Sequence, residues 1–348
     1  MGTLIAPLFD GPVDIVGDIH GEIEALDALL ARLGYDRDGH HRQGRRLVFV
    51  GDLVDRGPDS PAVVERVAGM HAAGRAQCIL GNHELNLLLD DFDKEGNGWF
   101  REASDDHDQA KDKKFRSARA SASQRRHFVD WFAGLPLALE RDDLRVVHAC
   151  WHEAHIQALR HAGDDLPALH GAHSAAIARQ LEHEGLLRQK ASERQQHGDA
   201  LTDLQQPPPF LSALAAVDSR TQSAHPVKAL TSGLEQPTSV PFRAGGKWRM
   251  TERVAWWREY DHPAAVVFGH YWRRSVPADG HGKREDGPDL FAPDQPFDWL
   301  GPRGNALCVD WCVGDRWRER AAHGRTDRFA GRLGALRWNE REIVLDSD

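Results

Sequence analysis

The sequence predicts an α/β fold wound in the right-handed sense. Two observations carry that reading. Three short apolar runs, V-D-I-V at 13–16, L-V-F-V at 47–50 and Q-C-I-L at 77–80, each stop at a glycine followed by a metal-loving residue, giving Gly17-Asp18, Gly51-Asp52 and Gly81-Asn82. Asp18 and Asp52 lie 34 residues apart and Asn82 lies 30 further on, close to the length of a βαβ unit. In open α/β sheets chemistry collects beyond the carboxyl ends of the strands, so three strand ends converge on one predicted site.

The elements follow in order. After strand Val13–Val16, residues 22–33 carry Ile23, Leu26, Leu29, Leu30 and Leu33 on one helical face. Strand Leu47–Val50 leads to a helix over about 60–73, capped by Asp59 or Ser60 with Pro61 in its first turn. Strand Gln77–Leu80 comes next. Residues 90–127 are polar and poor in β-branched residues, so an insertion is placed at about 90–140; its segment Lys111–Arg126 sets seven basic residues against Asp112, either as a solvated helix face or to steer a phosphorylated substrate. Strand Leu144–Ala149 resumes the core. A second insertion, about 151–245, shows helical patterns near 152–161 and 174–188 and then Pro207-Pro208-Pro209, and reads as a partly loop-like cap. Residues 251–260 read as helical, 264–270 as a buried strand ending in Gly269-His270, 306–311 as a strand, and 335–345 as a hairpin turning at Asn339-Glu340. The whole chain reads as one domain, 1–348, with two largely helical insertions.

Composition narrows the class. The 348 residues are 41% hydrophobic and 28% charged, enough for a large core. A formal net charge of -9 argues against general attraction to nucleic acid or an anionic membrane. Cys78, Cys150, Cys308 and Cys312 sit in or beside apolar runs without C-x-x-C spacing, which reads as buried thiols in a reducing compartment. The first ten residues lack a basic region and no run approaches the 18 or so apolar residues that span a bilayer, so a cytoplasmic location is expected. His152-Glu153-Ala154-His155 has the wrong spacing for H-E-x-x-H and reads as helix surface rather than a zinc site. The eleven tryptophans read as packing residues.

Asp18, His20, Asp52, Asn82, His148 and His270 all stand at or just after the ends of apolar runs. Together they offer carboxylate, imidazole and amide donors with no thiolate, a set suited to manganese, iron or zinc.

Gly17-Asp18-Ile19-His20-Gly21, Gly51-Asp52-Leu53-Val54-Asp55-Arg56-Gly57 and Gly81-Asn82-His83-Glu84 resemble the three signature blocks of the calcineurin-like metallophosphoesterases. Within that superfamily they are most similar to the phosphoprotein phosphatase group and its bacterial relatives, which include symmetrical dinucleoside tetraphosphatases. The likeness covers residues 13–89, returns at Val146–His148 and Phe268–His270, and is weak at Val309-Asp310 and the final strands. It implies a two-layered β-sandwich flanked by helices. It also implies two divalent ions, Mn, Fe or Zn with manganese foremost in vitro, one held by Asp18, His20 and Asp52 and the other by Asp52, Asn82, His148 and His270. Trp272 stands where many other members of the superfamily have a second histidine. Ala149-Cys150 departs from the two glycines usual in the protein phosphatases.

A pair of ions can activate a water between them for direct attack on phosphorus. The resemblance gives Arg56 and Asn82 to the substrate phosphate and makes His83 the acid for the leaving oxygen, oriented by Asp55. Arg249 and Arg253 are secondary candidates for phosphate contact, and Glu84 reads as structural at a helix start. The expected substrate is a phosphorylated one, a phosphoprotein, nucleotide or small molecule. A phosphomonoesterase of the Ser/Thr protein phosphatase type is the first reading, a dinucleoside polyphosphate hydrolase the alternative, and a non-catalytic metal-binding scaffold a third.

Overall fold

A computed structural model describes residues 3–91, 96–101, 115, 117–275, 287–324 and 328–347. The strands are β1 (Ile5–Pro7), β2 (Val13–Val16), β3 (Arg46–Phe49), β4 (Ala76–Cys78), β5 (Ala138–Glu140), β6 (Leu144–Val147), β7 (Glu235–Ala244), β8 (Lys247–Arg253), β9 (Ala265–Phe268), β10 (Ala306–Cys308), β11 (Gly334–Trp338) and β12 (Glu342–Leu345). The helices used below are α1 (Ile23–Leu33), α2 (Ser60–Ala72), α3 (Asn82–Leu88), α4 (Ala122–Ala133), α5 (Glu153–Arg160), α6 (Leu166–His183), α7 (Leu186–His197), α8 (Ser212–Ser223) and α9 (Pro226–Ser232).

Two five-stranded sheets form the sandwich, in the orders β1-β5-β6-β9-β10 and β12-β11-β2-β3-β4. The strands β2, β3 and β4 are mutually parallel, as are β6, β9 and β10. Period-two alternation decides which way each residue faces. Val13, Ile15 and Val48 of one sheet meet Val146, Val267 and Leu307 of the other, all fully buried. Their neighbours Val16, Leu47, Phe49, Val147, Val266 and Phe268 turn outward onto the helices. Burial on both faces explains why these strands read as continuous apolar runs. Each such side chain contributes about 1.5–3 kcal/mol by leaving water. The one acid in β2, Asp14, is buried on the helix-facing side and is held by Arg45 at 2.7 Å and the Tyr35 hydroxyl at 2.7 Å.

Local signals place the first three helices. Asp59 accepts from Ala62 N–H at 2.9 Å and so caps α2, with Pro61 in its first turn. A left-handed Gly34 closes α1. The region read as the first insertion is less external than its polarity suggested. Trp99, Phe100, Phe115, Phe128 and Phe132 are buried, the last two from α4. Most of its basic run, Lys111–Lys114 and Arg116, lies outside the described residues, while Arg125 donates to Ala120 O at 3.0 Å.

Between β6 and β9 the chain differs from expectation at two places. The predicted helix over 174–188 is two helices: α6 begins earlier, where Asp165 caps Ala168 N–H, and left-handed Gly185 separates it from α7. The helix read over 251–260 is absent. Instead β8 pairs with β7 in a hairpin turning at Gly245-Gly246, with only a single 3₁₀ turn at Trp256–Glu259. Both turn glycines have positive φ, 59° and 73°, which selects a tight primed hairpin turn over a helix. Trp248 and Met250 then pack on α8 through Leu214 and Ala215.

Helix α9 buttresses the core, because Leu230 O accepts the Ala149 N–H at 2.8 Å beside His148. Its cap is His225, fully buried, whose Nδ1 accepts from Lys228 N–H at 3.4 Å while Nε2 donates to His170 O at 3.1 Å. The His170 ring lies 4.4 Å away and the His173 ring 5.6 Å away. Burial, reinforced by the nearby His170 and Lys228 charges, pushes the His225 imidazole down to about 3. Neutral His225 therefore contributes stability that is present above the ordinary histidine range near 6.5 and is lost progressively as pH falls towards about 3. The thermal midpoint is expected to drop between pH 7 and pH 5, and His225→Asn, which keeps a capping acceptor but cannot titrate, should make that drop shallower. Equal slopes for the two proteins would show that the acid sensitivity arises elsewhere.

Candidate metal centre

Parallel pairing within each sheet places six strand ends at one edge of the sandwich. From β2, β3 and β4 come Asp18, Asp52 and Asn82; from β6, β9 and β10 come His148, His270 and Asp310. The backbone there is bent hard. Among the described residues, seven of the nine non-glycine positions with positive φ are His20, Asp52, Asp55, Arg56, His270, Trp272 and Cys312, all in these loops. Each such conformation costs on the order of 1–3 kcal/mol and persists only where surrounding bonds fix it.

Those bonds are visible. Glu84, fully buried, accepts the N–H groups of Asp52 at 2.9 Å, Leu53 at 2.8 Å and Gly81 at 3.0 Å, so one carboxylate ties the second signature loop to the third. Its role is wider than the helix-start position anticipated from sequence. A side chain at Gly81 would strike the Asp52 backbone and carboxylate, and one at Gly269 would strike the Asp18 carboxylate. Asp310 accepts from Trp272 N–H at 2.8 Å and Cys312 N–H at 3.0 Å and so fixes the loop that carries His270.

Asp52 stands at the centre. His83 N–H donates to its Oδ1 at 3.0 Å. On one side His20 Nε2 and His83 Nε2 lie 3.8 and 3.9 Å from Oδ2; on the other His148 Nε2 lies 3.4 Å from Oδ1. Two clusters that could hold a cation thus share this carboxylate, His20-Asp52-His83 and Asp52-His148-His270. Asn82 Oδ1 joins the second, 2.8 Å from His270 Nδ1 and 3.3 Å from His148 Nε2.

The donor set fits divalent ions. Asp18 Oδ1 and His270 Nε2 are buried without a hydrogen-bond partner, which is costly unless something else engages them. His20 Nδ1 and His148 Nδ1 are spent on Val54 O at 3.0 Å and Val50 O at 2.8 Å, orienting both rings with Nε2 towards the site, as outer-shell carbonyls do for metal-binding histidines. The buried groups also perturb one another's charge. Burial and the Asp310 charge push the Asp18 carboxyl well up. Burial and the Arg56 charge hold His20 well down; burial and Arg253 do the same for His270. Burial would raise Asp52, but the His148 and His83 charges outweigh it and hold that carboxyl well below its usual range. His148 is pushed up to about 10, because the pull of Asp52 exceeds the cost of burial. Burial and the charge of Asp52 lift Glu84 to about 7.

A family model for calcineurin-like phosphoesterases matches residues 11–273. This chain belongs to that family. Among curated relatives of this calcineurin-like phosphoesterase, the asymmetrical bis(5'-nucleosyl)-tetraphosphatase of Bacillus subtilis is 47% identical over 73 residues, 20% of this chain and 30% of that one. The symmetrical bis(5'-nucleosyl)-tetraphosphatase of a Janthinobacterium is 32% identical over 167 residues, 48% of each chain. The chain therefore spans between about a third and a half of the length of these relatives. A solved protein serine/threonine phosphatase of Saccharomyces cerevisiae aligns with 99% of this chain and 83% of that one at 12% identity and a TM-score of 0.43.

The remaining anticipated residues are placed as follows. His83 Nδ1 donates to Asp55 Oδ2 at 2.5 Å, and Trp99 Nε1 donates to the other Asp55 oxygen at 2.7 Å. Arg56 donates to His20 Nε2 at 2.9 Å and His83 Nε2 at 3.2 Å, and its guanidinium lies 4.7 Å from the Trp272 ring centre. Arg253, 5.7 Å from the Tyr271 ring, is near enough for its charge to act on His270. Arg249 is not part of this cluster: its Nε donates to Ala244 O at 3.2 Å and it lines a separate cleft. Cys150 is buried, and burial pushes its thiol up, which disfavours a reactive thiolate. Sequence reading missed Trp99, which no pattern announces, and gave little weight to Asp310, although Leu307-Cys308-Val309-Asp310 repeats the pattern of an apolar run ending in a carboxylate.

If Asp52 serves two ions, Asp52→Asn should lower bound metal per chain more than His20→Ala, since the first disturbs both clusters and the second only one. Elemental analysis after manganese loading checks this, and near-full occupancy in Asp52→Asn would contradict it.

Proposed function

We propose that the protein is a dinuclear metal-dependent phosphoesterase acting by direct displacement at phosphorus. The observation that carries the reading is the single Asp52 carboxylate flanked by one histidine cluster at each oxygen, with the Arg56 fork beside it. Asp18, His20 and Asp52 would hold one ion, and Asp52, Asn82, His148 and His270 the other. Two divalent ions bound there would draw charge from the phosphoryl oxygens and make a water nucleophilic near neutral pH.

The protein's own groups do the rest. Arg56 turns from His20 and His83 towards an incoming phosphoryl group, whose oxygens match its planar fork. That movement frees His83 Nε2. Asp55 holds the proton on Nδ1, so Nε2 is the atom that can carry a proton to the departing oxygen. Trp99 in turn fixes Asp55. With the site's aspartates and most of its histidines engaged and Cys150 buried, a phosphoenzyme route is disfavoured.

Two substrate classes fit. Phosphomonoesters of the phosphoprotein type follow from the signature blocks, and dinucleoside polyphosphates are favoured by the names of the curated relatives. We read the chain as one domain, with the segment between β6 and β9 bearing on substrate choice because α9 leans on the strand end carrying His148. A panel of aryl phosphate, phosphopeptide and dinucleoside tetraphosphate, run with manganese, iron and zinc, separates the classes. No turnover of any of them with any metal would favour the scaffold reading.

His83→Asn should lose about 10²–10⁴-fold in rate on alkyl or seryl phosphate and far less on an aryl phosphate whose leaving oxygen scarcely needs a proton. A loss independent of the leaving group would remove His83 from that role.

A further inference from the structure

Away from the centre, α7, α8 and the free edge of β8 enclose a cleft of about 570 Å³, a size suited to a small organic ligand. It shares no residue with the clusters around Asp52. One wall is apolar, the half-buried Trp248 backed by the buried Leu214 and Met250. The other carries Lys190, Arg194, Lys247 and Arg249. Two acids line the cleft and both are engaged: Asp218 pairs with Lys190 at 2.6 Å, and Glu235 accepts from the Thr251 hydroxyl at 2.7 Å. Neither Arg194 nor Arg249 has an ion-pair partner among the described residues. A concentration of positive charge in a chain of net charge -9 selects for an anion, and the adjoining aromatic and aliphatic wall selects for a flat apolar group attached to it.

We propose that this cleft binds a nucleoside phosphate at a site distinct from the metal centre, the phosphates on the Arg194 and Arg249 side and the base against Trp248. The inference does not depend on which substrate the metal centre takes. Arg194 is exposed on α7, so changing it leaves the core intact.

Calorimetric titration of the full-length, manganese-loaded protein with α,β-methylene-ADP, a diphosphate with no cleavable phosphoanhydride, tests the assignment. Wild type and Asp52→Asn should share one binding event assigned to this cleft, whatever the metal centre itself takes up. Arg194→Glu should weaken binding by at least about tenfold, a change of about 1.4 kcal/mol, with hydrolysis of aryl phosphate unchanged. Arg194→Lys should retain most of the affinity. The proposal is overturned if Arg194→Glu binds as wild type does, if Asp52→Asn removes all binding and so locates it at the metal centre, or if no binding is found up to millimolar ligand.

Discussion

The site depends on one tether: the buried carboxylate of Glu84 holding the N–H groups of Asp52, Leu53 and Gly81. It works together with the Asp52 carbonyl, which accepts the Ile19 and His20 N–H groups at 2.9 Å each, to hold the left-handed turn at Asp52, φ 48°. With it, the Asp52 carboxylate is presented edge-on between histidines from both sheets. Bonds from backbone N–H groups to an ionised carboxylate each contribute about 1.5–3 kcal/mol, comparable with the strain they oppose, and Glu84, lifted to about 7, supplies them in full only above that pH.

The sandwich provides the second constraint. A single parallel sheet would bring Asp18, Asp52 and Asn82 to one edge, but not the histidines opposite. A second sheet, with β6, β9 and β10 parallel to one another, adds His148, His270 and Asp310 at the same edge. Close approach follows: Gly269 lies against Asp18 with no room for a side chain. The rigid core below therefore holds His270 and Asn82, 188 residues apart in sequence, 2.8 Å from one another.

Much of this was legible in the sequence because burial on both faces leaves uninterrupted apolar runs, and the residue that ends each run is the one at the site. Asp18, Asp52, Asn82, His148 and His270 all announce themselves in this way. The sandwich itself was not readable from periodicity, since a strand buried between two sheets and one buried between sheet and helices carry the same pattern; it followed from the family likeness. The β7–β8 hairpin was lost because Thr251–Tyr260 has enough apolar spacing to suggest a helix, while the deciding signal was the Gly245-Gly246 pair before it. Trp99 was hidden for a different reason. Its partner Asp55 lies 44 residues away, and a single long-range hydrogen bond leaves no local trace.

The central claim is that one carboxylate, Asp52, serves two ions at once. Electron paramagnetic resonance of the manganese-loaded protein tests it directly, because two Mn(II) ions sharing a ligand are exchange-coupled. The account predicts a broad, multiline coupled spectrum at full loading, with two ions bound per chain. An uncoupled signal of isolated Mn(II) at full loading, or saturation at one ion per chain, would contradict it.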